Sequence, residues 1–235
     1  MEAALGIAAV IGIAPAMALM YLVLRKYTYP VAERPFFSDP IFFSLFVAGL
    51  IAGTILFAVY TYFWGAALLN AILFAILETI IILVVLNLKR FHGKSDTIFY
   101  GYGMGLGLGA TMSMGMAYYL TKIAGTTDLS SVLILIIMSI SKTLILGAVG
   151  LNVGEAVAKL RLLEFTSQAA VVNMIYHLVL VPWFMGSGSI YSYLALALGF
   201  AVSAVYFYKM AFVSLPYTVR AVLKQEGKKR KDIPK

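Results

Sequence analysis

Three ionisable side chains lie inside long apolar stretches of this sequence. They are Glu78 in LFAILETIIIL, Lys142 in MSISKTLIL and His177 in VVNMIYHLVL. An ionisable group in the interior of a bilayer costs a few kcal/mol or more, roughly, and is by default a sign of a proton-transfer, binding or metal site. These three residues are therefore the first candidates for a functional site.

The neighbours of these residues extend the candidate site. Asn173 precedes His177 by four residues, so both share one face of a helix, and Ser141 is adjacent to Lys142. We expect a single buried cavity with a polar lining, composed of Glu78, Lys142, His177, Asn173 and Ser141. An ion pair of Glu78 with Lys142 that only fixes helix order, with His177 bonded to a carbonyl, is the alternative.

The composition indicates which elements position these residues. Of 235 residues, 62% are hydrophobic and 12% are charged, and there is no cysteine. A soluble domain of this size cannot bury so many apolar side chains, so a soluble enzyme and a disordered chain are excluded. The absence of cysteine excludes disulfides, thiol nucleophiles and cysteine-bound zinc.

The apolar runs predict an all-α, polytopic membrane helix bundle with seven transmembrane helices in residues 1–208. Each run is long enough for the hydrocarbon core. The predicted spans are about 4–24, 41–63, 66–88, 97–120, 129–150, 167–185 and 190–208. We expect the first span to be a retained signal-anchor, because it is too long for a signal peptide and Arg25 and Lys26 follow it.

The basic residues predict the orientation of this bundle. Alternate loops and the segment 209–235 hold every Lys and Arg except Lys122 and Lys142. Because basic loops stay on the cytoplasmic side, we expect the N-terminus outside and a basic cytoplasmic tail, 209–235. We expect a cell membrane protein whose tail contacts anionic lipid headgroups rather than nucleic acid.

Glycines recur every four residues in the fourth predicted span, YGYGMGLGLGA. One face carries Gly101, Gly105 and Gly109, and a nearly opposite face carries Gly103 and Gly107. Small residues at this interval allow helix backbones to approach closely. The pattern predicts glycine-rich helix packing of a central helix on two sides.

Several motifs together resemble the PrsW family of intramembrane metalloproteases over roughly residues 7–184. The motifs are Pro15, Tyr21, Arg25 and Lys26 around the first span, ERPFFSD at 33–39, Glu78 in the third span, Asp96 with Gly101, Gly105 and Gly107, and His177 in a late helix. The resemblance implies a PrsW-like bundle and, in active members, a catalytic metal.

The sequence departs from the family at the catalytic positions. The family's second Glu motif falls at Met112–Ser113, and its middle His falls near Ser141–Lys142. Only Glu78 and His177 remain as candidate metal ligands, whereas catalytic zinc takes three protein ligands and a water. The resemblance therefore implies a pseudoprotease that needs no cofactor.

Three functions follow as hypotheses. The first is a non-proteolytic relative that binds a membrane partner, such as a transmembrane helix of another protein, in the cavity where relatives cleave. The second is an active intramembrane metalloprotease, with Glu78 and His177 as catalytic residues and zinc as cofactor. The third is a small transporter or channel with a relay of Glu78, Lys142 and His177.

Overall fold

The computed structural model describes residues 2–62, 67–124, 129–185, 189–228, 230, 232 and 233. These residues form helices and connecting segments and include no strand. The helices are α1 (Glu2–Leu24), α2 (Asp39–Tyr62), α3 (Ala67–Leu86), α4 (Thr97–Ala124), α5 (Leu129–Ala158), α6 (Leu162–Met185), α7 (Ile190–Tyr208) and α8 (Leu215–Gln225). A 3₁₀ turn occupies Lys89–Phe91, and a π-helical segment, Lys209–Ser214, joins α7 to α8.

Six helical segments in the described part of the chain are long and apolar enough to cross a membrane. They are Ala4–Leu24, Asp39–Tyr62, Leu68–Leu86, Leu129–Ala158, Leu162–Met185 and Ile190–Gln225. The segment α4, with 28 residues, is also long enough but is rich in Gly and Tyr, which lowers its hydropathy. The fold is thus an all-helical bundle with apolar, membrane-type helices, and the seventh span and the orientation stay predictions.

Several predicted boundaries differ from those of the helices. α5 continues to Ala158, past the predicted end at residue 150, and helical structure continues beyond residue 208 to Gln225. α8 buries Leu215, Val219 and Val222, so the first part of the predicted tail packs on the bundle. Outside the described residues lie position 63, position 66 and the tail residues Lys229, Lys231 and Lys235.

One glycine face of α4 packs against α5. A Cβ added at Gly101 would meet the carbonyl oxygen of Gly150, and one at Gly105 would meet that of Leu146. At Gly109 the added atom would meet the Cα of Thr143 at 3.0 Å. The two backbones are therefore close enough that larger side chains at these positions would separate the helices.

The other glycine face of α4 packs against α2. An added Cβ at Gly107 would meet the carbonyl oxygen of Phe46, and one at Gly103 would meet the Phe42 ring at 2.9 Å. α2 contributes Gly49, whose own Cβ would meet the carbonyl of Met104 in α4. α4 thus lies between two helices, and its residues 98–110 are all buried.

The segments that carry most of the basic residues meet at one end of the bundle. The Gly93 amide donates to the Val157 carbonyl at 3.2 Å, and the Ser95 amide donates to Glu226 Oε1 at 2.7 Å. The Arg230 guanidinium donates to the carbonyl of Arg34. We call this end, formed by residues 25–38, 87–96, 159–161, 209–228, 230, 232 and 233, the basic end.

Candidate functional site

The three ionisable residues of the apolar stretches come together near the middle of the bundle. Glu78 lies on α3, Lys142 on α5, and Asn173 and His177 lie one turn apart on α6. α3 and α6 both pack against α5, so each helix presents its residue to the same point. We call Glu78, Lys142, Asn173 and His177 the central cluster.

Short contacts join the members of the central cluster. Lys142 Nζ donates to Glu78 Oε1 at 2.5 Å and lies 2.9 Å from His177 Nε2. His177 Nε2 lies 3.1 Å from Glu78 Oε2. The three side chains therefore form a closed triangle that links three helices.

Asn173 completes the coordination of Glu78. Its side-chain amide donates to Glu78 Oε2 at 3.0 Å and to the Ala75 carbonyl, also at 3.0 Å. Glu78 itself is 0% exposed, and both of its oxygens accept hydrogen bonds. A carboxylate buried in this way is tolerated because it is paired and hydrogen-bonded.

His177 cannot satisfy both of its cluster neighbours at once while neutral. If Nε2 accepts from the Lys142 ammonium, it has no proton for Glu78, and if it donates to Glu78 Oε2, it cannot accept from Lys142. The two arrangements differ in the placement of one proton. The central cluster therefore has two alternative hydrogen-bond patterns without any change of helix packing.

A small cavity of about 30 Å³ adjoins the central cluster. It lies in the half of the bundle away from the basic end, because it is lined by the second halves of α4 and α6, the first half of α5 and the end of α2. The lining residues are Tyr60, Met112, Ser113, Met116, Ala117, Leu135, Met138, Ser139, Lys142, Tyr176, His177, Leu180 and Phe184. A volume of this size holds a few water molecules or one small side-chain group.

Of the five residues predicted to line a cavity, Lys142 and His177 line this one. Glu78 bonds to both of those residues and Asn173 bonds to Glu78, and Glu78 and Asn173 are fully buried. Ser141 faces α7 instead, where its hydroxyl lies 3.1 Å from that of Ser203. Sequence reasoning did not identify the apolar lining, since Met and aromatic residues at these positions resemble ordinary core.

The arrangement does not fit a catalytic zinc. Zinc would have to approach Glu78 and His177, the two candidate ligands, but the Lys142 ammonium is within hydrogen-bond distance of both. In the part of the chain that the structure describes, no group of three His, Cys, Asp or Glu side chains could hold a metal. A cation of the protein itself thus occupies the space between the candidate ligands.

A second buried pair of Glu and Lys, at the basic end, was not identified in the sequence. Glu155 accepts from Lys159 Nζ at 2.5 Å, from the Ser214 hydroxyl at 2.6 Å and from the Thr218 hydroxyl at 2.8 Å. It lies in the part of α5 beyond residue 150, where the predicted fifth span ends. We call Glu155, Lys159, Ser214 and Thr218 the basic-end cluster.

The sequence spacing of the basic-end cluster is typical of residues on one face of a helix. Glu155 and Lys159 are four residues apart, as are Ser214 and Thr218, so each pair shares a helix face. The cluster fixes the segment after α7 to the end of α5. It contains no histidine, and none of its residues lines the central cavity.

No family model, curated protein or solved structure matches this chain. Its function must therefore be argued from the geometry of its own residues.

Proposed function

We propose that this protein is a seven-span, PrsW-like membrane protein that binds a membrane partner and does not cleave it. Its N-terminus would lie outside and its C-terminus in the cytoplasm, in the cell membrane. The central cluster and its cavity would be the binding site. Several residues resemble the catalytic positions of the family. The proposal rests on the location of these residues in the structure.

Those positions surround one point of the bundle. Met112 and Ser113 on α4, Lys142 on α5 and His177 on α6 all line the cavity, and Glu78 bonds to two of them. They come from four helices and are far apart in sequence. Unrelated residues so placed are not expected to converge on one point. Their convergence is the observation that carries the proposal, since a degenerate relative would keep the geometry of the site while losing its ligands.

The ammonium group of Lys142 is the reason why we expect no cleavage. Hydrolysis by a metal needs an open coordination position and a separate base. Here Lys142 pairs with the carboxylate, and the other family positions carry Met112 and Ser113, which cannot serve as strong zinc ligands. The charge that a metal would supply is therefore provided by the side chain itself.

The chemistry of the cavity suggests the group that a partner presents. An ammonium has three N–H donors, of which two point to Glu78 and His177. The third remains for an acceptor in the cavity, whose other walls are mostly aliphatic, Met and aromatic side chains, with Ser113 and Ser139. We expect a transmembrane helix that lies against the bundle and inserts one short polar side chain, because the cavity is too small for a helix.

Site-specific photo-crosslinking tests this proposal. Benzoylphenylalanine replaces Phe184, which lines the cavity, or Phe200, which is 37% exposed on α7 and serves as the matched control. We expect a discrete crosslinked protein from position 184 that is absent at position 200 and is lost when Lys142 is changed to Met. Identical products from both positions, or a product that is independent of Lys142, would contradict the proposal.

The metalloprotease hypothesis has its own test. Purified protein is assayed for bound zinc, with Glu78→Ala as the comparison. We expect no zinc above the level of the variant. Stoichiometric zinc that disappears in Glu78→Ala, together with cleavage of a membrane substrate that chelators abolish, would establish the protease instead.

The proton relay is the second candidate, because His177 Nε2 is shared between Lys142 and Glu78. A relay of this kind would move protons through the two hydrogen-bond patterns. Proton flux is measured in proteoliposomes with wild-type protein and with a Glu78→Gln/Lys142→Met/His177→Asn variant. Flux in the wild type that the triple variant abolishes would favour the relay, whereas flux that persists in the variant would exclude these residues from it.

A further inference from the structure

A groove of about 610 Å³ follows the end of α1 and the chain after it. Residues 17–31 supply its lining, so it lies at the basic end of the bundle, away from the central cavity. Its volume is in the range of ligand pockets, roughly 300–1,000 Å³. The function proposed above makes no use of it.

One half of the groove is apolar. Met17, Met20, Tyr21 and Leu24 lie at positions i, i+3, i+4 and i+7 and form one stripe along α1. Met17 is 47% exposed and Tyr21 is 70% exposed, although both belong to an apolar helix suited to a membrane. This half of the groove is therefore a surface for hydrocarbon.

The other half is basic. Arg25 and Lys26 follow the apolar stripe directly, and both are exposed. The Arg25 guanidinium lies 5.8 Å from the centre of the Tyr21 ring, and Lys26 Nζ lies 5.2 Å from that of Phe212. Neither forms an ion pair with a carboxylate in the described segments. Two cations are thus held at the point where the hydrocarbon surface ends.

We propose that this groove binds an anionic phospholipid. Arg25 and Lys26 contact the phosphate, and one acyl chain lies along Met17, Met20, Tyr21 and Leu24. The argument is charge complementarity at one end and apolar surface at the other, in the order in which a lipid presents its headgroup and chain. It requires that α1 lies in a bilayer, but it does not depend on the central cluster.

Native mass spectrometry of the full-length protein tests the groove. Phosphatidylglycerol and phosphatidylcholine with the same acyl chains are titrated onto protein in detergent. We expect the wild type to hold phosphatidylglycerol about thirtyfold more tightly than phosphatidylcholine, which two basic contacts of about 1 kcal/mol each would supply. An Arg25→Gln/Lys26→Gln variant should lose this preference.

A matched variant separates the groove from general surface charge. Lys89→Gln/Arg90→Gln removes two exposed basic residues from the same end of the bundle but outside the groove. We expect it to keep the preference for phosphatidylglycerol to within about twofold. Equal losses in the two double variants would overturn the proposal, as would equal affinity of the wild type for the two lipids.

Soluble glycerol phosphate distinguishes a lipid from a free phosphate group. It presents the same anionic group without acyl chains, so we expect it not to displace bound phosphatidylglycerol even in large molar excess. Displacement at equimolar concentration would show that the apolar half contributes nothing, and the phospholipid would then be the wrong occupant.

Discussion

Two ion pairs that join a buried Glu to a Lys lie in the described part of the bundle, and they differ in what surrounds them. Glu78 and Lys142 join two helices at mid-bundle, with His177 from a third, and Lys142 borders a cavity. Glu155 lies near the end of α5 and Lys159 follows that helix by one residue, and two hydroxyl groups also donate to the carboxylate. Both carboxylates are almost wholly buried, at 0% and 3% exposure.

The difference separates a pair that is enclosed by structural contacts from one that borders a cavity. In the basic-end cluster the Glu155 carboxylate accepts from Lys159 and from two hydroxyls of the segment after α7, and Lys159 extends over the rings of Phe165 and Tyr217. In the central cluster an ammonium donor and a histidine with two bonding patterns face free space. A buried charge pair by itself is thus weak evidence of function, and access together with unused bonding capacity is the better criterion.

The largest effect is expected from Lys142→Met. It leaves the Glu78 carboxylate buried without its cation, and breaking a buried pair in this way costs about 3–5 kcal/mol. The free energy of unfolding is measured by denaturant titration in detergent. We expect the double variant Glu78→Gln/Lys142→Met to recover most of the loss, because no charge then remains unpaired. A double variant as unstable as the single one would show that the charge is not the cause.

Glu155→Gln should have a smaller and more local effect. The amide keeps one acceptor but loses the charge that strengthens the bonds from Ser214 and Thr218, so we expect a loss of about 1.5–3 kcal/mol. Hydrogen exchange measured by mass spectrometry should rise in α8, with no change in the peptides that contain Glu78 or His177. Faster exchange throughout the bundle would mean that the basic-end cluster is not a local anchor.

His177→Gln should cost about 1 kcal/mol, because the amide can still bond one neighbour and Glu78 keeps its bonds to Lys142 and Asn173. The same variant should nevertheless abolish crosslinking from position 184. A stability loss as large as that of Lys142→Met would show that His177 has a mainly structural role. Undiminished crosslinking would show that His177 is not part of the binding site.

The smallest effect is expected from Lys159→Met. This ion pair has i,i+4 spacing at the end of α5, and the Lys159 side chain is partly exposed at 16%, so its net contribution is below about 1 kcal/mol. The free energy of unfolding is measured for Lys159→Met and Lys142→Met under the same conditions. The two losses can be compared directly, because the same substitution is made in both clusters. Equal losses would mean that burial of the two lysines does not distinguish the clusters.

The sequence was most informative where a residue type is rare in its surroundings. Glu78, Lys142 and His177 stand out in apolar helices, and their depth indicated that they could meet. The glycine spacing in α4 likewise indicated two faces, which α5 and α2 occupy. These signals are local and periodic, so they survive in a single sequence.

Features that depend on tertiary packing could not be predicted from the sequence in the same way. Glu155 was missed because the hydropathy of α5 falls after residue 150, whereas the helix continues to Ala158 where the segment after α7 covers it. The apolar part of the cavity lining could not be predicted either, since Met112, Met138 and Phe184 carry no polar signal. The rotation of Ser141 toward Ser203 depends on how α5 meets α7, which no spacing within α5 specifies.

The most direct test combines crosslinking with the two clusters. Benzoylphenylalanine at position 184 is placed in two folded variants, Glu78→Gln/Lys142→Met and Glu155→Gln, and the crosslinked partner is quantified against the wild type. The account predicts that the product disappears in the first variant and persists in the second. A product that persists without the Glu78–Lys142 pair would contradict the claim that the central cluster is a binding site.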